Sequence, residues 1–340
     1  MNERVQEILK GLSNEQKARL LYGKDFWYID GEALGKIMLT DGPAGLRKQQ
    51  GKADMAGINE SLPATAYPAG CAAACSWDVS LMLRLGEALG RECKKEGVAV
   101  LLGPAVNHKR DPLCGRNFEY FSEDPLLSGK LGAAYVKGLQ GVGVGACVKH
   151  FACNSRENGR MISDSLVDER ALREIYLRQF EIIVKEARPW AVMTAYNKLN
   201  GTYCSQNGRL MTEIARGEWG FDGLFLSDWG AMRDQAESYE AGLDLEMPGI
   251  CGGEEEILAA LREGGMTEET LNARAGKVIE LLLKAREGEK INAPFNREES
   301  LSLAQEIAEA SAVLLKNEGV LPYDKENKEK IAVIGAFAEK

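Results

Sequence analysis

Gly223-Leu224-Phe225-Leu226-Ser227-Asp228-Trp229 reads as a buried strand that ends on an acid and an indole. The apolar run is too short for a helix, lacks the alternation of a half-exposed strand and is opened by glycine, as in a parallel sheet covered on both faces. By itself, Asp228 would be read as the N-cap of a following helix. The pattern recurs outward from this stretch. Ile37-Met38-Leu39, Val98-Ala99-Val100-Leu101-Leu102, Val144-Gly145-Ala146-Cys147-Val148, Ala191-Val192-Met193 and Gly242-Leu243-Asp244-Leu245 are further short apolar runs. Amphipathic stretches near 78–95, 168–187, 212–218, 254–262 and 270–286 alternate with them. Strands alternating with helices predict an α/β fold built on a parallel sheet.

Whether that sheet closes depends on where the polar chemistry lies. No G-x-G-x-x-G opens a helix after an early strand, and Gly141-Val142-Gly143-Val144-Gly145 precedes its strand instead. Polar residues follow almost every apolar run, whereas a doubly wound sheet gathers them at one switch point. The prediction is a (β/α)8, TIM-like barrel over residues 1–292, irregular because 51–67 is too loose for a clean second strand. Val5, Ile8, Leu9 and Leu12 predict an opening helix, and Ser13 with Gln16 forms a capping box for a second. Residues 293–340 read as a linker helix over 300–315, with Leu303, Ile307, Ala310 and Leu314 on one face, then a buried strand at Ile331-Ala332-Val333-Ile334. That helix and strand are expected to begin a truncated α/β sandwich domain.

Composition narrows the class. The 340 residues are 45% hydrophobic and 27% charged, ordinary for a globular enzyme. A net charge of −9 and the lack of any Lys/Arg block argue against a nucleic-acid partner. No apolar stretch reaches the length of a membrane span, and Met1-Asn2-Glu3-Arg4 opens no signal peptide. Eight cysteines at irregular spacings with two histidines predict reduced thiols, no metal site and a cytoplasmic setting.

Taken in order, the strand ends supply Asp41, Arg116, Lys149 with His150, Arg160, Tyr196, and Asp228 with Trp229. Singly, these read as a turn Asp, surface ion pairs, a structural histidine and a core aromatic. Jointly, they suit a pyranose. A carboxylate can attack an anomeric carbon, a flat ring faces the sugar's carbons, and charged groups bind vicinal hydroxyls. Lys149, Arg116 and Tyr196 are expected to hold the Asp228 pKa down despite burial. Asp222 opens the same strand and is expected on the opposite face as a turn residue. Glu246 reads as a structural carboxylate.

Leu39-Thr40-Asp41-Gly42-Pro43, Gly115-Arg116-Asn117-Phe118-Glu119-Tyr120-Phe121-Ser122-Glu123-Asp124-Pro125, Val148-Lys149-His150-Phe151 and Leu226-Ser227-Asp228-Trp229 together resemble the glycoside hydrolase family 3 β-glucosidases. Val167-Asp168-Glu169-Arg170-Ala171-Leu172-Arg173-Glu174-Ile175-Tyr176 and Val313-Leu314-Leu315-Lys316-Asn317 strengthen the match. The resemblance implies a retaining, exo-acting hydrolase that removes non-reducing β-linked glucose or a similar pyranose. Asp228 would be the nucleophile and form a covalent glycosyl intermediate. Asp41, Arg47, Arg116, Lys149, His150, Arg160, Met193 and Tyr196 would bind the glycone, and Trp229 would form the aromatic wall. The rival β-N-acetylglucosaminidase branch carries an Asp–His pair after Lys-His-Phe, and residues 152–160 contain no histidine. The family's acid/base is a glutamate of the second domain, expected here beyond Lys340. The resemblance implies a β-glucoside or short β-linked oligosaccharide as substrate, and the expected protein partner is a second copy in a homo-oligomer or a complementary C-terminal chain. No cofactor or metal is implied. The alternative is a non-catalytic carbohydrate-binding barrel, or one subunit of a split glycosidase.

Overall fold

The computed structural model describes residues 3–51, 59–249, 252–324, 326 and 330–335. Among the described residues, nine strands form two sheets: β1 Tyr28–Asp30, β2 Lys36–Thr40, β3 Val100–Leu101, β4 Gly145–Phe151, β5 Asp164–Ser165, β6 Ala191–Thr194, β7 Lys198–Leu199, β8 Thr202–Tyr203 and β9 Leu224–Ser227. The main sheet runs β1-β2-β3-β4-β6-β9. β1 is antiparallel to β2, and every later neighbour is parallel, with Val192 opposite Phe225 in the last pair. Parallel bridges Leu226↔Leu245 and Tyr22↔Glu246 carry the curl past β9 back towards the N-terminal segment. The 242–245 run therefore makes a bridge where a full strand was predicted. β5, β7 and β8 form a small side sheet. The part of the loose 51–67 region at 52–58, and Cys251, lie outside the described residues.

Helices cover the sheet, and their sequence signals are visible in the caps. Ser13 and Gln16 form the predicted capping box of Asn14–Leu20. Asp78 caps Val79–Lys95, Asp124 caps Pro125–Gly141 with proline in the first turn, and Thr267 caps Glu268–Glu289. The two helices flanking β3 pack backbone to backbone. A Cβ on Gly86 would overlap the Tyr135 carbonyl, and one on Gly138 the Leu83 carbonyl. Leu172–Tyr176 and Arg209–Glu218 wind as π-helix, the second bringing Leu210, Met211, Ile214 and Ala215 all into the core.

The C-terminal prediction is corrected in two places. The helix runs Arg297–Ala310, docked by buried Leu303 and Ile307 and by Arg84 gripping Glu306 at 2.7 and 2.5 Å. Leu314 and Leu315 lie outside it and are exposed, as are the helix residues after Ile307. Ile331, Val333 and Ile334 are likewise exposed coil, not a buried strand, since no described strand pairs with them. No described helix is long and apolar enough to cross a membrane.

Candidate active site

The carboxyl ends of β2, β4, β6 and β9 open into one cavity of about 660 Å³. Its walls bring together Asp41, Arg47, Arg116, Lys149, His150, Arg160, Met193, Tyr196, Asp228 and Trp229. All ten residues named from the sequence thus meet at one place. Asp222 lies exposed at the other end of β9, where its carbonyl accepts from Lys277 Nζ at 2.7 Å. Glu246 is buried away from the cavity, accepting from Gln235 Nε2 at 3.2 Å.

Local sequence explains each placement. Asp41 follows β2, and the chain folds back so that Asp41 and Arg47 bridge antiparallel. Gly42 sits at φ +124 and Gly45 at φ +152, conformations that favour glycine, and Thr40 Oγ1 ties the turn by donating to Arg47 O at 2.7 Å. Lys149 and His150 belong to β4 itself and are 3% and 1% exposed. A buried lysine needs an anion, and Lys149 Nζ donates to Asp41 Oδ1 at 2.6 Å. Asn107 pins His150, accepting from its backbone N–H at 2.7 Å and donating to its carbonyl at 2.8 Å. Arg160 pairs with Glu157 at 2.7 Å and lies 4.6 Å over the Tyr196 ring. The Tyr196 hydroxyl donates to Trp229 O at 2.9 Å, and Trp229 Nε1 donates to Phe26 O at 2.8 Å.

Asp228 is 8% exposed. Its Oδ1 accepts the Trp229 N–H at 2.8 Å, and Oδ2 faces His150 Nε2 at 3.6 Å with no hydrogen-bond partner among the described residues. Burial raises its pKa above the ordinary value of 3.8, outweighing Arg116, Lys149, the Trp229 N–H and Arg160, which pull it down. This reverses the expectation of a depressed pKa: with one oxygen unbonded, the cations do not repay the lost hydration. Burial also keeps His150 neutral, its pKa pushed well below 6.5 and lowered further by Arg116, Lys149 and Arg160. At Asp41 burial opposes ionisation, but Lys149, the Gly42 N–H and Arg116 prevail and hold it below 3.8. Burial likewise opposes the Lys149 charge, and Asp41 and Glu119 overcome it.

Some wall residues were not singled out from sequence. Trp27 and Phe26 line the cavity, their rings 5.3 and 6.4 Å from Trp229. The run Phe26-Trp27-Tyr28 was the available signal. Glu119 also lines it, paired with Arg116 and 4.0 Å from Lys149. Its signal was its place three residues after Arg116. His108 points elsewhere, its ring edge-on to Tyr176 at 5.5 Å. The described residues hold no cluster of His, Cys, Asp and Glu able to bind a metal.

Comparison with known proteins agrees with this architecture. The profile of the Glycosyl hydrolase family 3 N terminal domain matches residues 52–281. The chain is 50% identical to thermostable beta-glucosidase B of Acetivibrio thermocellus, covering 99% of this chain and 45% of that protein. It is 42% identical to an exo-alpha-(1->6)-L-arabinopyranosidase of Bifidobacterium longum, covering 99% and 46%. Beta-glucosidase 3B from Thermotoga neapolitana, solved with α-D-glucose, superposes with a TM-score of 0.88 at 41% identity, covering 95% of this chain and 48% of that one. The chain therefore spans about half the length of these relatives. With that profile matching most of its length, the chain belongs to glycosyl hydrolase family 3, whose N-terminal domain it carries.

Proposed function

We propose that this chain carries the glycone site and nucleophile of a retaining, exo-acting β-glucosidase. The observation that carries the reading is the convergence of Asp228 with Asp41, Lys149, His150 and Arg116 at the carboxyl edge of a parallel sheet. Its curl supports an irregular (β/α)8 barrel as the complete architecture. The β-glucosidase relatives support glucose as glycone. The unpaired thiols of the described cysteines support a reducing, cytoplasmic setting.

In this mechanism Asp41, Lys149, Arg116, Arg160 and neutral His150 bind the sugar hydroxyls, and Met193, Tyr196 and Trp229 line its apolar face. A carboxylate oxygen of Asp228 bonds to the anomeric carbon as the glycosidic C–O bond breaks. The electron pair leaves on the aglycone oxygen, which takes a proton from the general acid. Water, deprotonated by the same group, then displaces Asp228 and restores the original configuration. Asp41 is a poor acid for this step, since Lys149 engages it and holds its pKa below 3.8. We assign the acid/base to a glutamate beyond Lys340, or to a complementary chain.

Incubation with 2-deoxy-2-fluoro-β-glucosyl fluoride tests the reading, because an activated leaving group departs without a proton donor. A fluoroglucosyl adduct on the Asp228 peptide is expected by mass spectrometry. Glucose binding without an adduct would favour a non-catalytic carbohydrate-binding barrel, and an adduct at another carboxylate would overturn the nucleophile. The likeness to the arabinopyranosidase makes α-L-arabinopyranoside the second glycone to compare, as its 4-nitrophenyl glycoside.

A further inference from the structure

Glu119 is a buried acid on the cavity wall, 7% exposed, to which the glycone-binding scheme gives no part. Its Oε1 accepts from Arg116 Nε, and Oε2 stands 4.0 Å from Lys149 Nζ. It therefore lies between the two cations that act most strongly on Asp228. Its backbone is fixed as well. Glu119 N–H donates to Arg116 O at 3.1 Å, Cys71 N–H donates to Phe118 O at 3.1 Å, and a Cβ on Gly70 would overlap the Glu119 carbonyl.

Arg116, Lys149, Arg160, neutral His150 and the Tyr196 phenol face Asp228. Arg116, Lys149 and the Tyr120 phenol face Glu119. Asp41 sits on Lys149, and Glu157 on Arg160. Without the Glu119 charge, Arg116 loses its anchor and swings on a free stem. Lys149 and Arg116 would then act on Asp228 unscreened.

We propose that Glu119 is a positioning residue for glycoside cleavage, holding Arg116 towards the sugar and screening the Arg116 and Lys149 charges from the nucleophile. The inference rests on the reading of Asp228 as nucleophile. Its consequence is directional: removing the charge makes Asp228 easier to ionise while loosening the grip on the glycone. A residue that merely supports the loop would lower stability and leave the ionisation of Asp228 where it was.

The experiment follows the rate of adduct formation with 2-deoxy-2-fluoro-β-glucosyl fluoride against pH, with glucose affinity measured by calorimetry on the same preparations. In Glu119→Gln the acid limb is expected to move down by about half to one pH unit, and glucose affinity to fall roughly tenfold. Glu119→Asp keeps the charge, so its acid limb should coincide with wild type while glucose still binds more weakly. An unmoved limb in Glu119→Gln, or equal limbs in the two variants, overturns the proposal. Should Glu119→Gln fail to fold, Glu119→Asp decides: a shifted limb or unchanged glucose affinity overturns it. Failure to label the wild-type protein at Asp228 defeats the functional reading instead. Glucose calorimetry then judges Glu119 alone, and unchanged affinity in the variants defeats it.

Discussion

Exchanging Asp228 for Asn removes a buried charge that the fold holds at a cost. Oδ2 is an acceptor without a partner, and leaving such a group unbonded in the interior costs about 1–3 kcal/mol. The amide is neutral, nearly isosteric, and can still accept the Trp229 N–H through its oxygen. We expect Asp228→Asn to be more stable by about 1–2 kcal/mol at neutral pH, a rise in Tm of roughly 2–4 °C per kcal/mol or somewhat less at this size. The sign with pH follows from the raised folded pKa. A group shifted upward contributes stability below its unfolded value, here 3.8, and that contribution is lost as pH rises through the folded value. The advantage of the variant should therefore be absent in acid and grow as pH rises above 3.8. Scanning calorimetry of both proteins from about pH 4 to about pH 8 measures it. A variant that melts below wild type at neutral pH, or a difference independent of pH, would refute the account of Asp228 as a strained nucleophile.

Lys149→Ala strands Asp41 and removes a cation from the cavity, so glucose should bind at least tenfold more weakly by calorimetry, and the pKa of both Asp41 and Asp228 should rise. Asp244 is fully buried between Arg216 at 2.6 Å and Arg274 at 3.0 Å. Asp244→Ala leaves both guanidinium groups unpaired, and urea denaturation should show a loss of about 3–5 kcal/mol. Asp222→Asn, at the exposed end of β9, should form the fluoroglucosyl adduct at the wild-type rate, within a factor of about two, with unchanged Tm.

What could be read from sequence follows from how local each signal is. The capping box at Ser13 and the buried strands around 37–39, 145–148, 191–193 and 224–226 depend on neighbours a few residues away, and they stand where predicted, while Asp78 and Asp168 turn out to cap the helical stretches that begin at them. The helix Pro125–Gly141 was passed over although Asp124-Pro125 announces it, because that dipeptide was absorbed into the motif preceding it. Eight of the ten cavity residues were legible because a parallel sheet gathers its strand ends at one edge, whereas Arg47 and Met193 came only from the family resemblance. Less legible was anything set by balance. Proximity of cations to Asp228 is visible in the motifs, but whether they outweigh burial depends on whether each carboxylate oxygen finds a donor. Asp41 finds Lys149, whereas Oδ2 of Asp228 finds none. The exposed Ile331–Ile334 run fails for a related reason: apolar composition makes a strand only where another strand offers its edge.

The glycine seam beside β3 bears on how this protein could be re-engineered. Replacing helical glycine with alanine is a standard stabilising move, worth about 0.5–1 kcal/mol through the unfolded chain. One helix here contains both outcomes. Gly141, the exposed last residue of Pro125–Gly141, has open space around its missing side chain, and alanine there should raise the melting temperature slightly. Gly138, one turn earlier, presses on the Leu83 carbonyl, and Gly86 across the seam presses on Tyr135. Alanine at either would wedge the helices apart and carry the displacement into β3 and β4. A consensus or library approach blind to this spacing would average a gain and a failure within four residues of chain.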